Sequence, residues 1–206
     1  MAILAIDTAL DHCQAAAFDS VGAVIATSGG PAKGNAEAIV HHAADVLTAA
    51  GWDCVERVAV TTGPGSFTGV RVGLAYAQGI AAPRDWPVVG ISTLAVLAAD
   101  VDGPALAITD ARHGNVYAAL FGMPDAPPPA RLTLTDAQSL AIQNSATVVA
   151  YGPAPLLDGA RTVDQLELRH LARLAASLDP AANPPQALYL ADPDAAPQRH
   201  KALARR

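Results

Sequence analysis

The sequence predicts an α/β protein made of two related halves. Short apolar runs of strand length alternate with segments whose apolar residues recur at helical spacing. A strand, an acidic turn and a returning strand occur twice, first around Asp7 and again around Asp110. Between the copies, residues 61–73 compress a strand end, a Gly-Pro-Gly turn and a helix start into one stretch.

Residues 2–6 are continuously apolar and predict a buried strand. Asp7-Thr8-Ala9-Leu10-Asp11-His12 reads as a turn, and residues 13–18 as the returning strand. A third strand is predicted over 21–27, after a turn at 19–22. Residues 35–50 place Ala36, Ile39, Val40, Ala43, Val46 and Leu47 on one helical face, and Gly51 stops that helix. A strand over 55–60 leads into the Gly-Pro-Gly turn. The following helix runs to residue 82, with Ser66 or Thr68 as its cap and Pro83 as its breaker. A short strand is predicted at 87–90, and Ser92 can cap a helix over 93–99.

The second half then starts over. Leu106-Ala107-Ile108-Thr109-Asp110-Ala111-Arg112-His113 resembles Leu4-Ala5-Ile6-Asp7-Thr8-Ala9-Leu10-Asp11, and Ala16-Ala17-Phe18 is echoed by Ala118-Ala119-Leu120-Phe121. Such repetition at the midpoint reads as duplication. A duplicated lobe with an acidic turn in each copy suggests the actin-like ATPase (ASKHA) fold. That fold has two related lobes with mixed sheets and flanking helices, and the two turns face each other across a cleft. The expected division is residues 1–102 as the N-terminal lobe and 103–206 as the C-terminal lobe. The latter carries a proline-rich loop at 124–129, a short helix at 135–142, a strand at 147–151, a helix at 166–178 and a basic, mobile tail at 198–206.

Bulk properties narrow the function. The chain has 206 residues, 51% hydrophobic, enough for a sizeable core. Its net charge of −6 argues against a domain that grips nucleic acid alone, without excluding tRNA contact inside a complex. Cys13 and Cys54 are too few for a disulfide framework or a cysteine metal cluster. Asp7 breaks the apolar start and no basic segment precedes it, so no signal peptide is read, and no apolar run reaches membrane length. A soluble, cytoplasmic protein is expected.

The Gly-Pro-Gly stretch has two readings. It is a structural strand-to-helix turn, or its free N–H groups bind an anion such as phosphate. It is not a P-loop, because no Lys-Ser/Thr pair follows the glycines, and Pro64 excludes a nucleophile elbow around Ser66. Gly63-Pro64-Gly65-Ser66-Phe67-Thr68-Gly69-Val70-Arg71-Val72-Gly73 resembles the signature of the TsaB (YeaZ) family. Ile3-Leu4-Ala5-Ile6-Asp7-Thr8-Ala9 and Asp110-Ala111-Arg112 fall where that family has its start and its Asp-Ala-Arg. The resemblance covers residues 1–122 well and the rest weakly. Residues 185–190 match the family's proline-tyrosine-leucine segment, but Ala191 stands where an arginine often follows.

The resemblance implies a non-catalytic dimerisation subunit. It would support TsaD, with the ATPase TsaE, in threonylcarbamoylation of the adenosine beside the tRNA anticodon. No cofactor of its own is implied, since ATP and metal belong to the partners. The isolated chain could also self-associate as a homodimer. The catalytic paralogue TsaD carries an H-x-x-x-H metal pair, and Thr93 and Leu97 stand about where those histidines would be. The six histidines form no dense ligand cluster, so neither catalytic nor metal-binding residues are assigned. The alternatives are an actin-like ATPase or kinase, with Asp7, Thr8, Asp110 and Arg112 at a nucleotide cleft, and a peptidase. For a peptidase the sequence displays no nucleophile–base pair. Each aspartate can instead accept hydrogen bonds within its own turn, and Arg112 can pair with Asp110, a phosphate or a partner carboxylate. The partner surface is expected on the two N-terminal helices, at Ala36, Ile39, Val40, Ala43, Gly69, Val72, Gly73, Tyr76, Ala77 and Ile80. Gly69, Gly73 and Ala77 recur every fourth residue there, a stripe that marks close packing in the chain's own core, against the partner, or some of each, and Arg71 is the only charge before Pro83.

Overall fold

A computed structural model describes residues 2–32, 34–152 and 156–190. The first half forms β1 (Ala2–Asp7), β2 (His12–Asp19), β3 (Val24–Pro31), α1 (Asn35–Ala50), β4 (Val55–Thr61), α2 (Phe67–Ala81), β5 (Val88–Ile91) and α3 (Thr93–Ala98). The second forms β6 (Ala105–Asp110), β7 (Asn115–Phe121), β8 (Ala130–Thr133), α4 (Leu134–Gln143), β9 (Thr147–Tyr151), β10 (Arg161–Val163) and α5 (Leu168–Ser177). One sheet has the order β3-β2-β1-β4-β5 and the other β8-β7-β6-β9-β10. In each, the first three strands pair antiparallel and the last two join in parallel. Two like-wound mixed sheets with flanking helices are the actin-like ATPase fold that the repeated turn predicts.

The repeat also sets the packing. Side chains alternate across a strand. In β1, Leu4 and Ile6 face a core closed by α1 and α2, while Ala5 faces the other way. In β6, Leu106 and Ile108 face α4, while Ala105 and Ala107 join the same central core as Ala5. Leu4, Ile6, Leu106 and Ile108 thus face the helices of their own half, while Ala5, Ala105 and Ala107 face a shared core with Ile3 packed beside it. That core also holds Leu94 and Leu97 of α3 and Leu171 and Ala175 of α5. α5 comes from the second half of the chain but packs on β1, β4 and β5 of the first sheet.

The departures from expectation have local causes. β3 begins at Val24 because Asp19 Oδ1 accepts the N–H groups of Val21 (3.0 Å) and Ala23 (2.8 Å), which holds those residues in the turn. It continues through Gly29 and Gly30 to Pro31 because it is an edge strand, where such residues are tolerated. β8 and β10, unforeseen, are short outer strands of the second sheet. α5 is shorter at both ends than the predicted 166–178. The expected tail at 198–206 and Ala191 lie outside the described residues.

Candidate functional site

The first acidic turn is closed by its own neighbours. Asp7, at the end of β1, is 1% exposed. Its Oδ1 accepts the N–H of Ala9 (3.0 Å) and the hydroxyl of Thr61 from β4 (2.7 Å). Its Oδ2 accepts from Gln14 Nε2 of β2 at 3.4 Å. That amide also donates to Leu166 O (2.9 Å), and Gln165 Nε2 donates to Gln14 Oε1 (2.7 Å). Burial raises the Asp7 pKa, against the lowering influence of Thr61, Ala9, Gln14 and the nearby His12. These donors and its burial tie this carboxylate into its own turn.

The second turn differs. Asp110 is exposed, and its Oδ1 accepts the backbone N–H of Arg112 at 2.8 Å. Arg112 and His113 both take left-handed backbone angles (φ 62° and 54°), a costly conformation that the Asp110 cap helps to hold. The link between Asp110 and Arg112 is thus through the main chain, and no ion pair joins them among the described residues. A cross-link between the halves starts instead from Asp11, whose N–H donates to the Tyr151 hydroxyl at 3.3 Å.

The Gly-Pro-Gly stretch is built into the fold. Ser66 is the N-cap of α2 and accepts from Gly69 N at 3.3 Å. Ser66 N donates to Ala9 O at 2.7 Å, and a β-carbon on Gly65 would collide with that same carbonyl. Gly63 O accepts from Thr93 N (2.9 Å), and Thr62 O accepts from Leu188 N (2.8 Å). Thr8 Oγ1 donates to Gly69 O (2.7 Å), and a β-carbon on Gly73 would run into that hydroxyl. The glycines therefore serve close packing of α2 on the first turn, which favours the structural reading of this motif.

This packing corrects the expected partner surface. Ile39, Ala43, Gly69, Gly73 and Ala77 are buried in the chain's own structure, Ala77 at 0% exposure. The small-residue stripe faces inward because β1 and Thr8 lie against it. The outward side of the helix pair carries Ala36 and Val40 (47% exposed), with Val72, Tyr76 and Ile80 half-buried beside them.

Two constellations were not legible in the sequence. Phe67 and Arg71 of the motif meet Tyr189. The guanidinium carbon lies 3.6 Å from the Phe67 ring centre, and Nε donates to the Tyr189 hydroxyl at 2.9 Å. Phe67 and Tyr189 are 49% and 52% exposed, so this is a surface cluster. Ser28 of β3 and His42 of α1 form a nucleophile–base pair, Oγ to Nδ1, at 2.8 Å. The nearby carboxylate of Asp45 accepts from the Ser28 hydroxyl (3.5 Å) rather than from the imidazole, so the orienting bond of a hydrolytic triad is not made.

The family model for TsaD, the tRNA N6-adenosine threonylcarbamoyltransferase, matches residues 30–123. The Escherichia coli (strain K12) tRNA threonylcarbamoyladenosine biosynthesis protein TsaB is 39% identical over 124 residues, which is 57% of this chain and 53% of that protein. The protein of the same name from Bacillus subtilis (strain 168) is 41% identical over 70 residues, 32% of this chain and 31% of that one. The chain is thus similar to TsaB/YeaZ proteins in sequence over part of its length, and to YeaZ in fold. It covers about half the length of the E. coli TsaB relative. YeaZ from Pseudomonas aeruginosa shares the fold with a TM-score of 0.72 at 24% identity, covering 92% of this chain and 99% of that one.

Thr93 and Leu97 have a definite environment. Both are buried, at the start and end of α3, and Leu97 packs in the central core. Among the described residues no group of three or more His, Cys, Asp or Glu is arranged to hold a metal ion. No helix among them is long and apolar enough to cross a membrane.

Proposed function

We propose that the chain is a non-catalytic dimerisation subunit in tRNA threonylcarbamoyladenosine biosynthesis, the process for which its curated relatives are named. It pairs with TsaD through the outer side of α1 and α2, and works with TsaE and with tRNA held by the complex. ATP and metal are the partners' cofactors, and the assembly is cytoplasmic. Without TsaD the same face pairs two copies of the chain. The observation that supports this reading is the outward side of the helix pair, where Val40 and the half-buried Val72, Tyr76 and Ile80 leave apolar surface beside solvent. The test is reconstitution with TsaD, TsaE, tRNA and ATP. Modification should require this chain and be absent with the chain alone. The double variant Val40→Arg/Ile80→Arg should remain folded by circular dichroism and bind TsaD at least tenfold more weakly by calorimetry. Threonylcarbamoyl transfer by the chain alone, or native TsaD affinity in the folded variant, would sink the proposal.

A second reading, nucleotide binding between the halves, draws on two polar atoms beside the acidic turns. His12 Nδ1 and Thr109 Oγ1 are buried without a hydrogen-bond partner. Calorimetric titration of the isolated chain with ATP and magnesium separates the readings, since the subunit reading expects no saturable heat.

A further inference from the structure

A hollow of about 610 Å³ lies at the end of the first sheet away from Asp7, where β1 and β4 begin. Arg169, Ala172, Arg173 and Ala176, at helical spacing on α5, form one wall. Ile3, Phe18 and Pro87 add apolar surface. The volume falls in the range of small-ligand sites, roughly 300–1,000 Å³.

Two guanidinium groups are fixed at this hollow without a carboxylate. Arg57 donates to the carbonyl oxygens of Ala175 and, at 3.0 Å, Leu178. Arg173 donates to the carbonyl of Ala99. Among the described residues neither lies within ion-pair distance of an acid. Arg169 does pair with Glu167, at 3.2 Å and largely in solvent. Two carboxylates also line the hollow. Asp19 is engaged by its own hairpin turn, and Glu56 is exposed. Arg57 is half-buried and Arg173 exposed; a half-buried cation favours an anion beside it, and charge-assisted bonds to guanidinium are strong. Because backbone carbonyls already orient both side chains, an incoming anion meets a prearranged site. The apolar surface next to them favours a ligand whose other end is poorly hydrated.

We propose that this hollow binds a small anion with an apolar body, a carboxylate or a phosphate monoester. Its charged end meets Arg57 and Arg173, and its body lies on Ile3, Phe18 and Ala172. The site is separate from the α1–α2 face and stands or falls independently of the proposed function. The test is fluorescence titration of the full chain with anilinonaphthalene sulfonate, an apolar anion. The native chain should bind it saturably, with one molecule per chain. Arg173→Gln should weaken binding about tenfold, the loss of one charged hydrogen bond. Ala176→Phe, which fills the hollow from an exposed position, should weaken it at least as much. Arg131→Gln, on β8, should leave it unchanged. Circular dichroism confirms that each variant is folded. Displacement by octanoate assigns a carboxylate ligand, and displacement by phenyl phosphate assigns a phosphate. Absence of saturable binding, equal affinity in both hollow variants, or displacement by neither competitor overturns the proposal.

Discussion

Asp7 is a carboxylate surrounded by donors yet still penalised by burial. Its pKa lies above the reference value of 3.8. In the window between 3.8 and the raised value, the folded chain keeps a proton that the unfolded chain has released. The contribution of Asp7 to stability is therefore largest at low pH and falls as pH rises through that window. Asp7→Asn cannot ionise and lacks this slope. The melting temperature of Asp7→Asn minus that of the native chain should rise with pH across the window, and a flat difference would show that burial does not set this pKa. Ala77 makes a different residue-scale prediction. At 0% exposure it has no room for a guanidinium, so Ala77→Arg should destabilise the fold by about 3–5 kcal/mol in denaturant, as an unpaired buried charge does. Val40→Arg, on the same helix pair but 47% exposed, should change stability by no more than about 0.5 kcal/mol.

At the scale of elements, α1 and α2 are tied at their C-terminal ends by Arg84. Its guanidinium carbon lies 4.5 Å from the Trp52 ring centre and 5.2 Å from that of Trp86. Arg84→Ala should cost about 1 kcal/mol in urea unfolding and alter tryptophan emission. An unchanged midpoint would mean that the stacking is incidental. Both helices were legible because the 3.6-residue period is strong over 35–50 and glycine or proline marks their ends. Which side faced the core was less legible. Ala36, Ile39, Val40 and Ala43 share a broad apolar face, and only the position of β2 and β3 decides that Ile39 and Ala43 go in while Val40 stays out. The Gly69–Gly73–Ala77 stripe signals close approach without naming the neighbour, since core packing and a partner interface ask for the same small residues; for Gly69 and Gly73 that neighbour is Thr8 of the β1–β2 turn. Ser28 and His42 sit on different elements and no motif spacing links them, so only the folded chain brings them together. The strands β8 and β10 are defined by backbone pairing, to which their side chains give little clue.

The whole molecule repeats one sheet order twice, and the duplicated strand–turn–strand made that visible in advance. What the repeat could not reveal is the return of residues 183–190 to the first sheet. After α5, residues 183–190 cross the first sheet and α2. Asn183 O accepts from Gly90 N (2.9 Å), Pro185 O from Gln78 Nε2 (3.3 Å) and Thr62 O from Leu188 N (2.8 Å). A chain ending at residue 182 should melt several degrees lower while keeping its helix content. An unaltered melting temperature would show that these bonds add nothing net. The position of α5 also has a temporal consequence. A ribosome releases the chain from its N-terminus, so β1, β2 and β4 emerge long before residues 168–177. Until those residues appear, Ile3, Phe18 and the alanines beside them have no cover on that side. The nascent first half is thus an open sandwich, and its topology obliges it to wait for a helix encoded well downstream of its own last strand.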